Sequence, residues 1–264
     1  METLKKYIAA SKLLKDTYKE HYEVINALNR WMLSNANKGF FFPSNVVTES
    51  DIKFAQELEE KTKDIRSIAM VRRIKDIKGI EPSIEEKKDG WYIEGQYMGK
   101  DKNTAIRYYP LGASGSLFWT VPGNEYDKLV KDGPENVIEG FASPLNHHFK
   151  NYCSLFSEDG SLGNFFDQNL DGYCVVVNPP FALDILNEAA IRCRQQIMDA
   201  KKWTRIIFIC PTWHNAKFYM MMKRSEYLQD IKEGYHKYEN MLTGEIIDSS
   251  FKTSWFILDN LLLK

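Results

Sequence analysis

The stretch Tyr173-Cys174-Val175-Val176-Val177 runs straight into Asn178-Pro179-Pro180-Phe181, and Leu183-Asp184 follows. Consecutive apolar residues without alternation describe a strand buried on both faces, the habit of parallel strands covered by helices. Two prolines cannot continue a ladder, so the strand ends at Asn178. Leu183-Asp184 then opens a helix expected over Asp184–Met198. Strand, tight polar turn and helix in this order make one unit of an α/β sheet.

Working outward, Val137–Phe141, Arg205–Cys210 and Ser254–Leu258 carry the same apolar signature, with helical or loop segments between them. This spacing predicts a mostly parallel sheet with helices on both faces. Trp91–Ile93, Ile106–Tyr109 and Leu117–Thr120 are short, aromatic and β-branched and read as further strands, with Gly112–Gly115 as a turn. Nearer the N-terminus, Leu4, Ile8, Leu14, Tyr18, Tyr22, Ile25, Leu28 and Met32 keep one apolar stripe, predicting a single helix over residues 3–33. Phe40-Phe41-Phe42-Pro43-Ser44 breaks that pattern. Thr48 and Asp51 have the spacing of a capping box that opens a helix to about Thr62. The expected organisation is a mainly helical accessory region over residues 1–110 and an α/β catalytic domain over residues 111–264.

The 264 residues, 44% hydrophobic and 27% charged with a net charge of -1, describe a folded protein rather than a disordered one or an indiscriminate polyanion binder. No apolar run approaches the roughly 18 residues of a bilayer span. Met1–Lys6 is charged and lacks the apolar stretch of a signal peptide. Neither a membrane partner nor secretion is expected. Cys153, Cys174, Cys193 and Cys210 form no CxxC pair, which suits four free thiols in a reducing, intracellular compartment. The adjacent His147 and His148 diverge on a strand or a helix, and no CxxC or HxxxH accompanies them, so no metal site is expected. His147 or His148 is the better candidate for touching a substrate.

Charge is distributed unevenly. Residues 61–78 hold seven Lys or Arg, among them Arg72 and Arg73, against Asp64 and Asp76. Residues 192–224 hold eight against Asp199 alone. Between them, residues 135–190 carry eight acids and one base, Lys150. Such a centre suits a cationic cofactor, with phosphates at the basic rim. Solvated helix faces without a partner give the same pattern.

A strand ending in Asn-Pro-Pro-aromatic suits a flat ring that carries an exocyclic amine. The N6 of adenine is a poor nucleophile because its lone pair is delocalised into the ring. The Asn178 side-chain oxygen can accept one N6 hydrogen and the Pro179 carbonyl the other. Pro179 and Pro180 stiffen the backbone and remove two amide donors. Phe181 can stack on the base, worth roughly 1–3 kcal/mol. The contribution is alignment and preorganised polarity rather than a strong base. The same residues also read as a Pro-Pro strand terminator with Phe181 in the core. No Gly-x-Gly-x-x-Gly fingerprint accompanies the strand. Its best substitute is Glu139–Asn146, where small residues let the backbone approach a cofactor and Ser143 and Asn146 can bond a ribose or a carboxylate. Asp159, Asp167 and Asp171 can bind ribose hydroxyls or face a cation, and each alone also reads as a loop acid. Trp213, after the strand 205–210, can face a substrate or pack under a loop.

Taken together, Glu139–Asn146 with Tyr152-Cys153-Ser154-Leu155-Phe156, Asn178–Phe181, and Phe208–Trp213 resemble the cap-specific adenosine N6-methyltransferases, the family of the phosphorylated-CTD-interacting factor. The resemblance covers about residues 137–214. It implies a Rossmann-like class I fold using S-adenosylmethionine, with S-adenosylhomocysteine as product. It implies a capped RNA substrate methylated at the cap-adjacent, 2′-O-methylated adenosine. It assigns Asn178, Pro179, Pro180 and Phe181 to the target adenine and Phe141, Ala142, Ser143, Pro144 and Asn146 to the methyl donor. An added helical region before the catalytic domain is also a family habit. No paired-Trp WW pattern followed by proline occurs here, so WW-mediated binding of polymerase tails is not expected. The short 157–166 segment and the compact length suit a minimal viral or microbial member. The rival readings are an adenine methyltransferase of DNA or uncapped RNA, and an inactive relative that binds RNA or a protein.

Overall fold

The Tyr7 hydroxyl donates a hydrogen bond to the Asn29 side chain at 2.6 Å, across 22 positions of sequence. In a continuous helix two such residues would stand about 33 Å apart, at 1.5 Å per residue. The chain therefore turns between α1 (Glu2–Thr17) and α2 (Glu23–Ala36). The single helix expected over residues 3–33 is two, because packing α1 on α2 buries Leu4, Leu14, Val24, Leu28 and Met32. Tyr18 already departs from helical geometry, with φ -123 and ψ 60.

The computed structural model describes residues 1–19, 23–39, 41–42, 46–112, 118–241 and 243–261. Tyr22 of the expected stripe, Phe40, Pro43 and Ser44 of the expected break, and 113–115 of the expected turn lie outside these. The protein is mixed α/β, in two units, Met1–Leu117 and Phe118–Lys264.

In the N-terminal unit, α3 (Glu49–Thr62) opens on the capping box foreseen at Thr48 and Asp51, with both reciprocal bonds present at 3.2 and 2.7 Å. After α4 (Ser67–Lys75) come three antiparallel strands, β1 (Ile84–Lys87), β2 (Gly90–Ile93) and β3 (Gln96–Tyr97). The strand expected at Trp91–Ile93 is β2. The strand expected at Ile106–Tyr109 is instead part of α5 (Lys102–Gly112). Asp101 accepts the Thr104 N–H at 2.7 Å and starts that helix. Ala105, Tyr108, Tyr109 and Leu111 form its buried side, a helical spacing that the aromatic composition disguised.

The C-terminal unit runs β4 (Trp119–Thr120), α6 (Gly123–Val130), β5 (Val137–Glu139), β6 (Cys174–Val177), α7 (Leu183–Asp199), β7 (Arg205–Pro211), α8 (Lys217–Lys223), β8 (Leu228–Gly234), β9 (Lys237–Asn240), β10 (Ile246–Asp248) and β11 (Thr253–Asp259). Its main sheet has the order β5-β6-β7-β11-β8. β5, β6 and β7 are parallel, while β11 is antiparallel to both β7 and β8. The sheet is thus parallel on one side only. The last two strands are joined by a return through β9 and β10, so no crossover helix is needed there. A small antiparallel sheet, β10-β9-β4, accompanies the main one.

Side chains alternate between two covered faces, which is why these strands read as unbroken apolar runs. Val175, Val177, Ile206, Phe208 and Phe256 pack with Leu186, Ala189 and Cys193 of α7 and Phe218 and Met222 of α8. Val176, Ile207, Ile209 and Trp255 pack with Tyr126 and Leu129 of α6. All four cysteines are free and buried.

Among the described residues the N-terminal unit encloses one ion pair. The Lys75 ammonium lies 2.6 Å from Asp51, with side chains 3% and 1% exposed. Asp51 also accepts the Trp31 indole N–H at 3.2 Å and the Thr48 N–H. Burial raises the Asp51 pKa, but Lys75 and the Thr48 donors outweigh it, and the carboxyl ends below its ordinary value. Its stabilising effect is present above the ordinary aspartate range and is lost as pH falls through the lowered folded value. Asp51→Ala strands a buried ammonium and should cost about 3–5 kcal/mol in denaturant unfolding of this unit. A loss below about 1 kcal/mol would make the pair equivalent to an exposed one.

Candidate active site

Glu139, the last residue of β5, has parallel neighbours on both sides. On one side lies β6, with Glu139 opposite Val176. On the other, Glu139 donates its N–H to the Asn151 carbonyl at 3.0 Å and its carbonyl accepts the Cys153 N–H at 2.8 Å, forming a parallel bridge to Tyr152. The chain leaves β5 toward one side, returns past it, and enters β6 on the other. That reversal opens a crevice beyond the carboxyl ends of the two strands, the usual ligand position in open α/β sheets. Gly140–Asn146 and Asn178–Phe181 both leave from this point, and the Gly140 N–H bonds the Val176 carbonyl at 2.7 Å. A Cβ at 140 would stand 2.8 Å from the Phe165 ring, so any other residue there would displace that ring. Thr212–His214 leaves the same end of β7, whose Phe208 lies opposite Val177.

Asn178 is half-buried and its side chain is hydrogen-bonded to the hydroxyl of Tyr126 on α6. Tyr126 is fully buried and accepts the Thr120 hydroxyl at 3.2 Å. Burial, then the nearby Glu139 charge, push the Tyr126 hydroxyl far above its ordinary value, so it stays protonated. The Pro180 carbonyl accepts the Ala182 N–H at 2.7 Å. Among the described residues no hydrogen bond reaches the carbonyl of Pro179, which is buried. Phe181 is half-buried, leans on the core below α7, and meets Phe251 edge-on at 5.8 Å and 74°.

In the loop after β5, Ser143 gives both its N–H and its hydroxyl to the Asn146 side-chain oxygen, at 2.8 and 2.9 Å. These two candidates hold each other through the Asn146 oxygen, so the donors left to that side chain are its amide N–H groups. Phe141 packs on Phe165 and Phe166 at 4.8 and 5.8 Å. The Ala142 N–H bonds the Cys153 carbonyl at 3.0 Å, and Pro144 is half-buried. His147 lies flat on Tyr152 at 4.2 Å and 9°, its Nδ1 3.1 Å from the Phe149 carbonyl. His148 turns the other way, 3.0 Å from Asp127. Among the described residues no group of three or more His, Cys, Asp or Glu could hold a metal ion.

The candidate acids are spread out. Asp159 ends a short turn at Ser157–Asp159 and its carbonyl accepts the Tyr152 hydroxyl at 3.0 Å. Asp167 is exposed on the Phe165–Asp167 turn. Asp171 precedes β6, at the opposite end of the sheet, and accepts the Lys201 and Lys202 N–H groups at 3.0 and 2.8 Å. It is a loop clamp. Trp213 is 44% exposed and tilts against Phe218 at 5.9 Å. Arg72 and Arg73 are exposed on α4 in the other unit. Of their cluster, Lys61 pairs with Glu23, Arg66 with Asp64 and Lys75 with Asp51, leaving Lys63 and Lys78 also exposed. In the second cluster Arg192 bonds the Gln168 carbonyl at 2.6 Å and Arg205 pairs with Asp259 at 2.8 Å.

Two site residues escape the sequence reading as bearers of a role. Glu139 is 1% exposed and accepts the His148 and Phe149 N–H groups at 2.8 and 3.3 Å, tying down the loop it precedes. Its one signal is an acid inside an apolar strand run. For Tyr126 the one signal is its apolar spacing with Leu129 and Val130 on the short α6. Burial pushes the Glu139 carboxyl up to about 7, against the pull of the two N–H groups and of His148. Between the ordinary glutamate value and about 7 the folded state binds the extra proton, so stability falls as pH rises through that window. Glu139→Gln keeps an acceptor for both N–H groups and removes this titration. The variant should gain thermal stability relative to the parent from pH 5 to pH 8, in paired melts. A constant difference across those pH values would mean that Glu139 is ionised throughout.

The chain matches the family described as "Phosphorylated CTD interacting factor 1 WW domain" over residues 106–241, just over half of its 264 residues. The matched span holds β5, β6 and β7 with all three motif segments at their ends. The family's description names a WW domain, which counts against the expectation that WW-mediated tail binding is absent. Comparison with curated proteins finds no match. Among the described residues no helix is long and apolar enough to cross a membrane. A sheet-end site built from three motifs, inside a family match of this extent, makes the chain a member of the phosphorylated CTD interacting factor 1 WW domain family.

Proposed function

We propose that this protein is an S-adenosylmethionine-dependent adenine N6-methyltransferase whose substrate is the cap-adjacent adenosine of capped RNA. One observation carries the reading: at the strand end beside the chain reversal, the Asn178 side chain is hydrogen-bonded to Tyr126, while among the described residues the neighbouring Pro179 carbonyl has no donor. Thr120 donates to the Tyr126 oxygen. In this reading the Asn178 amide, placed by Tyr126, presents its Oδ1 outward as an acceptor. Oδ1 and the Pro179 carbonyl then take the two N6 hydrogens of an adenine, and Phe181 fixes the plane of the ring. Helices on both faces, parallel strands and a reversal at β5 suit a Rossmann-like class I methyltransferase sheet.

The donor, when bound, supplies an electrophilic methyl on a sulfonium. Asp159 and Asp167, on the two short turns that follow the Gly140–Asn146 loop, are the acids that would meet such a cation. The Asn146 amide, and Asp159 or Asp167, would bond its polar groups. Phe141, Ala142 and Pro144 keep that loop against Phe165 and Cys153 and so shape the wall. Asn178 and Pro179 hold the N6 in line and accept its hydrogens as the nitrogen becomes tetrahedral. Neither has to remove a proton during transfer.

A second reading follows from the family's description, which names a factor interacting with a phosphorylated CTD. In it the chain is a docking module for a phosphorylated peptide. Calorimetry with such a peptide and with S-adenosylmethionine separates the two: a bound peptide with no donor binding would replace the enzymatic reading.

Asn178→Ala should lower methyl transfer roughly 10²–10³-fold, the usual loss when one preorganised polar contact is removed, with donor affinity unchanged by calorimetry. Wild-type turnover in this variant at limiting RNA would defeat the assignment of Asn178. Capped and uncapped RNA of one sequence should differ in rate, and equal rates would defeat the cap requirement. Neutralising Arg72 and Arg73 together should weaken RNA binding and shallow its salt dependence without touching donor affinity. Unchanged binding would make α4 a solvated face.

A further inference from the structure

Every strand of the main sheet sends an aromatic residue to the same end. Phe141, Phe181 and Trp213 follow β5, β6 and β7. Thr253 of β11 lies opposite both Pro211 and Gly234, so the segment before β11 and the exit from β8 share that end. They contribute Phe251 and Tyr235. Phe141 and Phe181 are partly packed into the core. Trp213, Phe251 and Tyr235 are not: they are 44, 47 and 60% exposed, and they are the exposed large aromatics among the described residues. Burying such rings is among the largest apolar gains a fold can make, so three left out on one sheet end call for an occupant.

Their backbones are fixed. The Thr212 N–H bonds the Lys252 carbonyl at 3.0 Å, which sets Trp213 and Phe251 on either side of one hydrogen bond. Ser249, itself buried, accepts the Phe251 N–H at 3.2 Å and donates to the Phe251 carbonyl. Phe251 touches Phe181 edge-on at 5.8 Å, and so continues directly from the ring assigned to the target base. Cations are interleaved: the Lys252 ammonium lies 5.9 Å from the Tyr235 ring, and exposed Lys217 opens α8 four positions after Trp213.

We infer that Phe251, flanked by Trp213 and Tyr235, is a stacking platform for the unpaired base that follows the target adenosine in single-stranded RNA, with Lys252 and Lys217 placed for its phosphates. This rests on the reading of Asn178–Phe181 as an adenine site. Flat rings alternating with lysines fit nucleobases and phosphates rather than an aliphatic helix, which would need Leu- or Met-lined depressions. A base inside a duplex already stacks on its neighbours and has no free face to offer, so the occupant is single-stranded. Stacking of this kind is indifferent to base identity, and the platform therefore adds affinity for RNA beyond the target nucleotide without adding a sequence preference.

The test uses the full chain and a short capped RNA with 2-aminopurine immediately 3′ of the target adenosine. Wild-type protein should quench the probe on binding. Phe251→Ala should remove most of the quench and weaken binding roughly 5- to 100-fold, Phe251→Trp should retain both, and Tyr235→Ala should give a smaller loss. In methyl-transfer assays Phe251→Ala should raise KM for the longer RNA and leave KM for a capped dinucleotide, which lacks that base, near wild type. Equal quench and affinity in wild type, Phe251→Ala and Tyr235→Ala, with melting temperatures unchanged, would overturn the platform and make the patch a protein-docking face. Quenching without any methyl transfer would sink the enzymatic reading and leave the platform standing. Wild-type transfer with no Phe251 effect on KM would do the reverse.

Discussion

The main sheet is organised around one residue that is paired on both edges and buried from above. Glu139 takes backbone bonds from 151–153 on one side and lies in register with β6 on the other, while its carboxyl is closed off under the loop that follows it. A carboxyl removed from water is costly unless its oxygens are bonded. Here two backbone N–H groups, from His148 and Phe149, meet one of its oxygens. The acid therefore acts as a staple. It bends residues 140–149 back over the end of β5, and that bend aligns 151–153 as a parallel neighbour. Without it the reversal at β5 would lack its outer strand, and the crevice between the two motif loops would lack a wall.

The same logic extends to Asn178. An asparagine at a strand end can point either way, and its amide can be turned over at little cost. Tyr126 ties the Asn178 side chain to α6, and Tyr126 is itself held by Thr120 and by the core it shares with Val176 and Ile207. The order of dependence runs from core to α6 to Tyr126 to Asn178. Polar groups that must present a fixed face are supported by buried neighbours rather than by the loop that carries them.

What was legible in the sequence was whatever is buried on both faces. β6, β7, β11 and α7 appear within a residue or two of their expected bounds because their apolar runs record a covered sheet and its covering helix. The capping box at Thr48 was legible because it is a local chemical pattern. The break between α1 and α2 was not, since neither Gly nor Pro marks it and the apolar stripe continues through it. α5 was misread because β-branched and aromatic residues on a buried helix mimic a strand. β8 has the opposite problem: its exposed and half-buried pattern carries little apolar signal, so an edge strand was missed. Charge counting overstated both basic clusters, because a sequence cannot show that Lys75 and Arg205 are already committed to Asp51 and Asp259.

The one departure from a parallel sheet has a consequence for the site. In a sheet extended only by parallel crossovers, each strand beyond β7 would enter at the far end and only its exit would reach the crevice end. β11 is antiparallel, so it enters at the crevice end, and β8 exits there. The whole excursion from Tyr235 to Lys252 consequently starts and finishes beside the motif loops. Two strands thus deliver two loops to that end, and both loops carry an exposed aromatic residue, one of them with a lysine beside it. β11 pairs along its full length with β7 and is almost wholly buried, so the loop that carries Phe251 hangs from an enclosed strand, while Tyr235 leaves the edge strand β8. A surface meant to hold a chain longer than one nucleotide needs rings at fixed separations, and anchoring Phe251 to a buried strand supplies that rigidity for the ring beside Phe181.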